Sequence, residues 1–296
     1  MIGTSIESRY ADVLGSRMHY LERGEGDPIL LLHGNPTSSF IWRDVIPELS
    51  AVGRCIAPDL IGMGRSQKPD IGYRFFDHAR YLEELIHQLK LRNVTIVGHD
   101  WGGALGFYYG MHHERNVRAV AFFETIVRPL TWLEIPSDMK MALKLSRTPV
   151  LGQLLIQGLN LFVKKALTDG VLGHIEENVL VEYERPFPSY ASRRPVWRMP
   201  NDIPIDGKPT DIHEMAVSWS AWLGRSEVPK LLLYGRPGLL IGPKDIAWCR
   251  ANIRNLEVAD VGEGLHYLQE EQPHTISRAL VSWLKKEVIP QESGTR

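Results

Sequence analysis

Along the first half of the chain, short runs of consecutive apolar residues alternate with longer stretches of helical periodicity. Ile29-Leu30-Leu31-Leu32, Arg54-Cys55-Ile56-Ala57, Val94-Thr95-Ile96-Val97 and Val117–Phe123 are apolar at almost every position. Such a run leaves no solvent face, so these segments predict strands of a parallel sheet covered on both sides. Ahead of them, Tyr10–Val13 and Met18–Glu22 flank Gly15-Ser16 and predict an antiparallel pair. Phe40–Leu49, Phe76–Leu89 and Ala104–His113 carry helical spacing between the runs. Strand–helix–strand repetition specifies right-handed crossovers and a doubly wound α/β domain.

The rhythm breaks near residue 128. Residues 137–182 read as helical throughout, with Val150–Val163 amphipathic, and 185–209 are rich in Pro and Arg. Leu151, Leu154, Leu155, Leu159 and Phe162 fall at helical spacing and are expected to pack inside this helical layer rather than line a pocket. Alternation resumes with a helix near Ile212–Leu223, strands at Lys230–Tyr234 and Leu256–Val261, and a closing helix from Thr275 to Lys286. Pro290–Arg296 is expected to fray. The reading is an α/β core of residues 1–127 and 210–296, interrupted by a helical cap of residues 128–209. Such an insertion sits above the carboxyl ends of the strands, where open sheets bind ligands.

Charge and cysteine content narrow the function. Lys plus Arg total 34 and Asp plus Glu 35 among 296 residues. A balance this even argues against a nucleic-acid binder or a polybasic membrane partner. Two cysteines, Cys55 and Cys249, far apart and in no CxxC pair, exclude a disulfide framework and a thiolate-rich metal site. Met1-Ile2-Gly3-Thr4-Ser5 has neither a basic region nor an apolar stretch of a signal peptide. No apolar run reaches the ~18 residues of a membrane span. The expected setting is cytoplasmic, and oligomeric state is left open.

The strongest local signal is Gly98-His99-Asp100-Trp101-Gly102, which follows an apolar strand and precedes a helix rich in small residues. This is the context of a nucleophile elbow, in which flanking glycines let strand and helix backbones approach and the central residue is pushed out over the sheet edge. Here that residue is Asp, where a helix-capping role is the plainer alternative. Two further residues complete the order nucleophile, acid, histidine. Glu124 ends the strand Val117–Phe123, and His266 sits in Gly264-Leu265-His266-Tyr267 after the last strand. A carboxylate there is costly to bury unless paired, and an imidazole supplies the pairing. After Leu32 comes His33-Gly34-Asn35-Pro36-Thr37. A loop at this place gives one backbone N–H of an oxyanion hole, here Asn35, and the residue after the nucleophile, Trp101, gives the other. Asn35 Nδ2 and Trp101 Nε1 are also neutral N–H donors beside the same pocket.

Taken together, His33-Gly34-Asn35-Pro36, Gly62-Met63-Gly64-Arg65-Ser66, the elbow, Glu124 and Gly264-Leu265-His266-Tyr267-Leu268-Gln269-Glu270-Glu271 resemble the haloalkane dehalogenases of the α/β-hydrolase superfamily. The subgroup with Asn as second halide ligand and Glu as catalytic acid is the nearest. The segments Tyr183-Glu184-Arg185-Pro186-Phe187-Pro188 and Arg193-Arg194-Pro195 extend the likeness over nearly the whole chain, although 137–182 match no family motif. The resemblance implies an α/β-hydrolase fold with an inserted cap and no cofactor. It implies a halogenated alkane as substrate and a halide ion as product. Asp100, His266 and Glu124 become the catalytic residues, Asn35 and Trp101 the halide ligands, and no metal site is expected.

Competing readings share parts of this machinery. An epoxide hydrolase would use Asp100 and His266, with Tyr183 or Tyr190 protonating the opened ring, but normally carries an aromatic residue where Asn35 stands. A cofactor-independent luciferase keeps the same five residues, and a binding protein would keep the pocket without turnover. Gly62-x-Gly64 lacks the third glycine of a dinucleotide loop and reads as a tight turn. His112-His113-Glu114 lacks metal-ligand spacing and reads as surface. His99 is expected to act as a structural hydrogen-bonder beside the elbow.

Overall fold

A computed structural model describes residues 5–288, apart from the side chains of Asp138, Lys164 and Val288; the expected frayed tail, Pro290–Arg296, lies outside the described residues. β1 (Glu7–Val13) and β2 (Ser16–Arg23) form the antiparallel pair. β3 (Pro28–Leu32), β4 (Arg54–Pro58), β5 (Val94–His99) and β6 (Val117–Phe123) match the apolar runs to within a residue or two. β7 (Lys230–Pro237) and β8 (Leu256–Gly264) run on past Tyr234 and Val261. The sheet order is β1-β2-β4-β3-β5-β6-β7-β8, with β3 to β8 mutually parallel. Side chains alternate across this sheet. Ile29 and Leu31 pack on one face with Val97, Ala121 and Phe123. Leu30 and Leu32 pack on the other with Ile96, Val120 and Phe122. Burial of both faces is what the unbroken apolar runs encode.

Helices cover both faces. The helix expected over Phe40–Leu49 is instead a 3₁₀ turn, Ser39–Trp42, followed by α1 (Ile46–Leu49). Pro47 has no N–H to continue a helix and its ring crowds the preceding turn, so it is tolerated only where a helix begins. α2 (Phe75–Gln88) and α3 (Trp101–His112) follow β4 and β5.

After β6 the chain leaves the sheet. It forms α4 (Ser137–Ser146), α5 (Leu151–Gln153), α6 (Leu161–Asp169), α7 (Glu177–Glu184) and α8 (Arg194–Asn201) before returning. The two ends of this excursion are laced together: Leu130 N–H donates to Pro204 O at 2.9 Å, and Asp206 N–H to Leu130 O at 2.9 Å. The amphipathic helical stretch expected over Val150–Val163 is broken by a π turn, Leu154–Gly158, and by Asn160 in the left-handed region at φ 57°. A π turn closes i to i+5 and rotates side chains off the i, i+3, i+4 face. The expected apolar packing of Leu151, Leu154 and Leu159 is therefore not formed; these leucines face solvent, and Ile156 and Gln157 are buried instead. Phe162 faces the cavity described below.

The chain re-enters the core through α9 (Thr210–Arg225), α10 (Pro243–Asn252), α11 (Leu268–Glu271) and α12 (Pro273–Trp283). α10 has no counterpart in the sequence reading, although Pro243 in its first turn and Asp245 accepting from Gly242 N–H mark its start. Among the described residues no helix is long and apolar enough to cross a membrane.

Candidate active site

Register brings the first three segments of the site to one edge. Leu32 pairs with Gly98, and His99 with Phe123, so the carboxyl ends of β3, β5 and β6 lie side by side. The residues that follow, His33–Asn35, Asp100 and Glu124, emerge together. Asp100 adopts φ 52° and ψ −126°, a backbone conformation that costs an L-residue about 1–3 kcal/mol unless its surroundings enforce it. The enforcement is visible. Asp100 N–H donates to Glu124 O at 3.2 Å, and Thr125 Oγ1 donates to Asp100 O at 2.6 Å. A Cβ on Gly98 would stand 2.5 Å from Gly103 Cα, so β5 and α3 can meet this closely only without one.

The Asp100 carboxylate lies against backbone donors. Oδ1 accepts from Asn35 N–H at 2.8 Å, and the Trp101 N–H lies close enough to favour the charged carboxylate. Oδ2 stands 3.7 Å from His266 Nε2. Burial pushes the Asp100 carboxyl above the usual aspartate range, while His266 and the two N–H groups pull in the opposite direction without cancelling it. Lying at the positive end of α3 thus does not fully compensate the loss of water.

Glu124 is completely buried and holds the other side of the imidazole: its Oε2 lies 3.3 Å from His266 Nδ1. The same carboxylate accepts from Leu240 N–H at 2.7 Å, from Leu239 N–H at 3.2 Å and from Ile241 N–H at 3.2 Å. With Nδ1 committed as donor to a carboxylate, the free lone pair of His266 is on Nε2, towards Asp100. Burial alone would lower the His266 pKa. The hydrogen bond to Glu124 and the charges of Asp100 and Glu124 outweigh it and raise the pKa. His99 supports the loop from below, its Nε2 donating to His266 O at 2.9 Å. Burial and the adjacent His266 keep His99 neutral.

These groups open into a cavity of about 430 Å³. Asn35, Asp100, Trp101 and His266 line its floor, while Ile135, Leu143, Phe162 and Pro200 of the excursion close it from above. Asn35 Nδ2 donates one hydrogen to Val196 O at 3.0 Å, which fixes the amide's orientation, and Oδ1 is buried without a partner. No protein acceptor among the described residues engages the Trp101 indole N–H. Asn35, Asp100, Trp101, Glu124 and His266 are therefore brought together. His113 is not: it pairs with Glu83 at the surface. Gly64 turns tightly against Asp59, whose Oδ2 a Cβ would meet at 2.2 Å.

A sequence profile of the alpha/beta hydrolase fold matches residues 27–273. The haloalkane dehalogenase of Mesorhizobium japonicum is 41% identical to this chain over 297 residues, covering 99% of this chain and 96% of that protein. This chain belongs to the haloalkane dehalogenases. A haloalkane dehalogenase of Sphingobium indicum is 35% identical, with 95% of this chain and 96% of that protein aligned. Among solved structures, the haloalkane dehalogenase DatA from Agrobacterium tumefaciens C58 superposes with a TM-score of 0.92 at 37% identity, covering 96% of this chain and 98% of that one. DbeA from Bradyrhizobium elkani gives 0.93 at 39% identity, with 95% and 98% covered.

Parts of this dehalogenase site escaped the sequence. The N–H groups of Leu239–Ile241 come from the loop after β7, the Val196 carbonyl from α8, and Asp169 and Gly170 on the cavity wall from the end of α6; Asp169 apart, none has a chemical side chain to advertise it. The turn dipeptide Pro237-Gly238 was the available signal for the first: Gly238 adopts φ 71°, and its Cα hydrogens leave room for Glu124 Oε1, which a Cβ would approach at 3.1 Å.

Proposed function

We propose that this haloalkane dehalogenase hydrolyses the carbon–halogen bond of small haloalkanes in two steps, with Asp100 as nucleophile, His266 as base and Glu124 as its acidic partner. In the first step Asp100 Oδ2, on the side facing His266, attacks the halogen-bearing carbon. The new C–O bond forms as the carbon–halogen bond breaks, and the electron pair leaves with the halide. The departing anion is received by the Trp101 indole N–H and the second hydrogen of Asn35 Nδ2, two neutral donors in an apolar cavity. Neutral donors suit a halide because it must be released again.

In the second step His266 Nε2 takes a proton from water, and the hydroxide attacks the ester carbonyl carbon of Asp100. The carbonyl oxygen that becomes the oxyanion is Oδ1, which already lies 2.8 Å from Asn35 N–H. Esterification also removes the Asp100 charge that helps raise the His266 pKa, which shifts the imidazole towards its neutral, basic form for this step. Glu124 then stabilises the imidazolium. Collapse of the tetrahedral intermediate breaks the bond to the alkoxy group, and the products are an alcohol, a halide ion and a proton. Water is the sole co-substrate.

The observation that carries this reading is the placement of Asp100 and His266 on one cavity with Glu124 behind the imidazole. The inserted residues 128–209 act as a cap in this account. An epoxide hydrolase would need a tyrosine over the nucleophile. The Tyr183 hydroxyl is instead committed to Glu270, and Tyr190 is 51% exposed. The free, buried Cys55 and Cys249, whose thiols burial pushes up to about 12, accord with the proposed reducing, cytoplasmic setting.

The direct test is halide release from 1-bromobutane with no cofactor added. His266→Phe should release one halide per chain and then stall, and its intact mass should rise by one butyl group. An unchanged mass would contradict the ester.

A further inference from the structure

We infer that Glu271 is a positioning residue for ester hydrolysis, clasping the His266 loop to the inserted helices. This inference rests on the two-step reading above. Glu271 ends α11, directly after the histidine loop. Its Oε2 accepts from Leu265 N–H at 2.8 Å, one residue before His266, and its Oε1 accepts from Leu172 N–H at 2.6 Å, in the turn after α6. One carboxylate therefore bridges two backbone segments that share no secondary structure. A second strand of the same clasp is Gly170 O, which accepts from His266 N–H at 2.9 Å and from Tyr267 N–H at 3.2 Å. Gly170 also lines the substrate cavity.

The anchor behind Glu271 is fixed in turn. The neighbouring Glu270 accepts two hydrogen bonds from the Arg43 guanidinium, each at 2.6 Å, and one from the Tyr183 hydroxyl of α7. A bidentate Arg–carboxylate pair holds both position and angle. α11 is thus pinned on one side, and Glu271 transmits that rigidity to the backbone flanking His266. His266 Nε2 must activate a water over the ester while Nδ1 stays on Glu124, so a small rotation of this loop misplaces the base. The Asp100 carboxylate, in contrast, is held by the elbow and by Asn35, with no contact to Glu271. Loss of the clasp should therefore slow the second step and spare the first.

Glu271 also acts through its charge. The groups facing His266 are Asp100, Glu124, Glu271, the neutral His99 and Tyr267. Of these, the three carboxylates raise its pKa. Removing one charge lowers it, and since ester hydrolysis requires neutral His266, the acid limb of that step moves to lower pH.

The experiment is rapid-quench kinetics with 1-bromobutane on the full chain, comparing wild type with Glu271→Gln, which keeps the shape but can accept only through one oxygen. Misplacement of a reacting group by about 1 Å can cost 10²-fold, so the rate constant for ester hydrolysis should fall roughly tenfold. Halide displacement should stay within about twofold of wild type, because its nucleophile is held elsewhere. The acid limb of hydrolysis should shift downwards. Equal loss in both steps, a smaller burst amplitude with unchanged rate constants, or an unmoved acid limb would each reduce Glu271 to a structural residue and overturn the inference. Absence of any ester in the wild type would overturn the two-step reading itself and this inference with it.

Discussion

The backbone N–H of Asn35 donates to Asp100 Oδ1 at 2.8 Å, while the side-chain amide of the same residue is tied to Val196 O at 3.0 Å. One residue thus presents two separate donors in two directions. In the proposed two-step reaction, the backbone N–H faces the carboxylate oxygen that would become the oxyanion of the second step. The remaining side-chain hydrogen is available to the halide of the first.

Asn35→Ala keeps the backbone donor and removes the amide. Losing one preorganised donor from a dry site costs about 3 kcal/mol in the transition state, or roughly 10²-fold. Halide displacement should fall by that amount, whereas hydrolysis of ester already formed should be little changed. Stopped-flow separation of the two rate constants checks this.

Gly34→Ala places a Cβ 1.9 Å from Asp100 Oδ1, a distance no packing can absorb without moving the carboxylate. Halide release should drop by more than about 10²-fold, the penalty expected of a misplaced nucleophile. Far-ultraviolet circular dichroism should remain that of the parent, since the site lies in a loop; wholesale unfolding would point to a different role for Gly34.

Glu124→Gln should affect both pH dependence and stability. The Glu124 charge helps raise the His266 pKa, so the neutral amide lowers it. In the proposed mechanism neutral His266 is the active form in hydrolysis, and the acid limb of that step should therefore move to lower pH while its plateau falls. The new amide also turns an NH₂ towards the N–H groups of Leu239, Leu240 and Ile241. Unsatisfied buried donors cost about 1–3 kcal/mol each, so the melting temperature should drop as well. Calorimetry and single-turnover pH profiles report the two effects separately.

Asp169 brings a second carboxylate to the cavity wall, with Lys165 Nζ 3.5 Å away on its exposed side. A negative charge at the mouth disfavours anionic substrates. For Asp169→Asn, kcat/KM towards 4-bromobutanoate should rise roughly fivefold at low salt and converge with wild type as ionic strength increases. Values for neutral 1-bromobutane should not move. Equal values for the anion before and after substitution would remove Asp169 from the account of specificity.

The core strands were legible because burial on both faces forces apolar residues at successive positions, and β6 matches its apolar run residue for residue. The elbow was legible for a related reason: Gly98 and Gly102 are demanded by close backbone approach, whatever the rest of the chain does. The inserted helices were poorly read. Their periodicity is interrupted by the π turn at Leu154–Gly158 and by Asn160, and neither leaves a mark in apolar spacing. The helix at Pro243–Asn252 was missed because only Ile246 and Cys249 are buried along it.

By itself, the order of residues determined the alternating architecture, the position of the strained bend at Asp100, and the identity of the four hydrogen-bonding residues grouped around it. Those features depend on local sterics and on side-chain chemistry, which a linear string carries. Only the tertiary structure decided how the imidazole is held: by Leu239–Ile241 through Glu124, by Gly170, and by Glu271. Most of those contacts are made by backbone groups that every residue possesses, so no residue type announces them, and distance in the folded chain is what selects them.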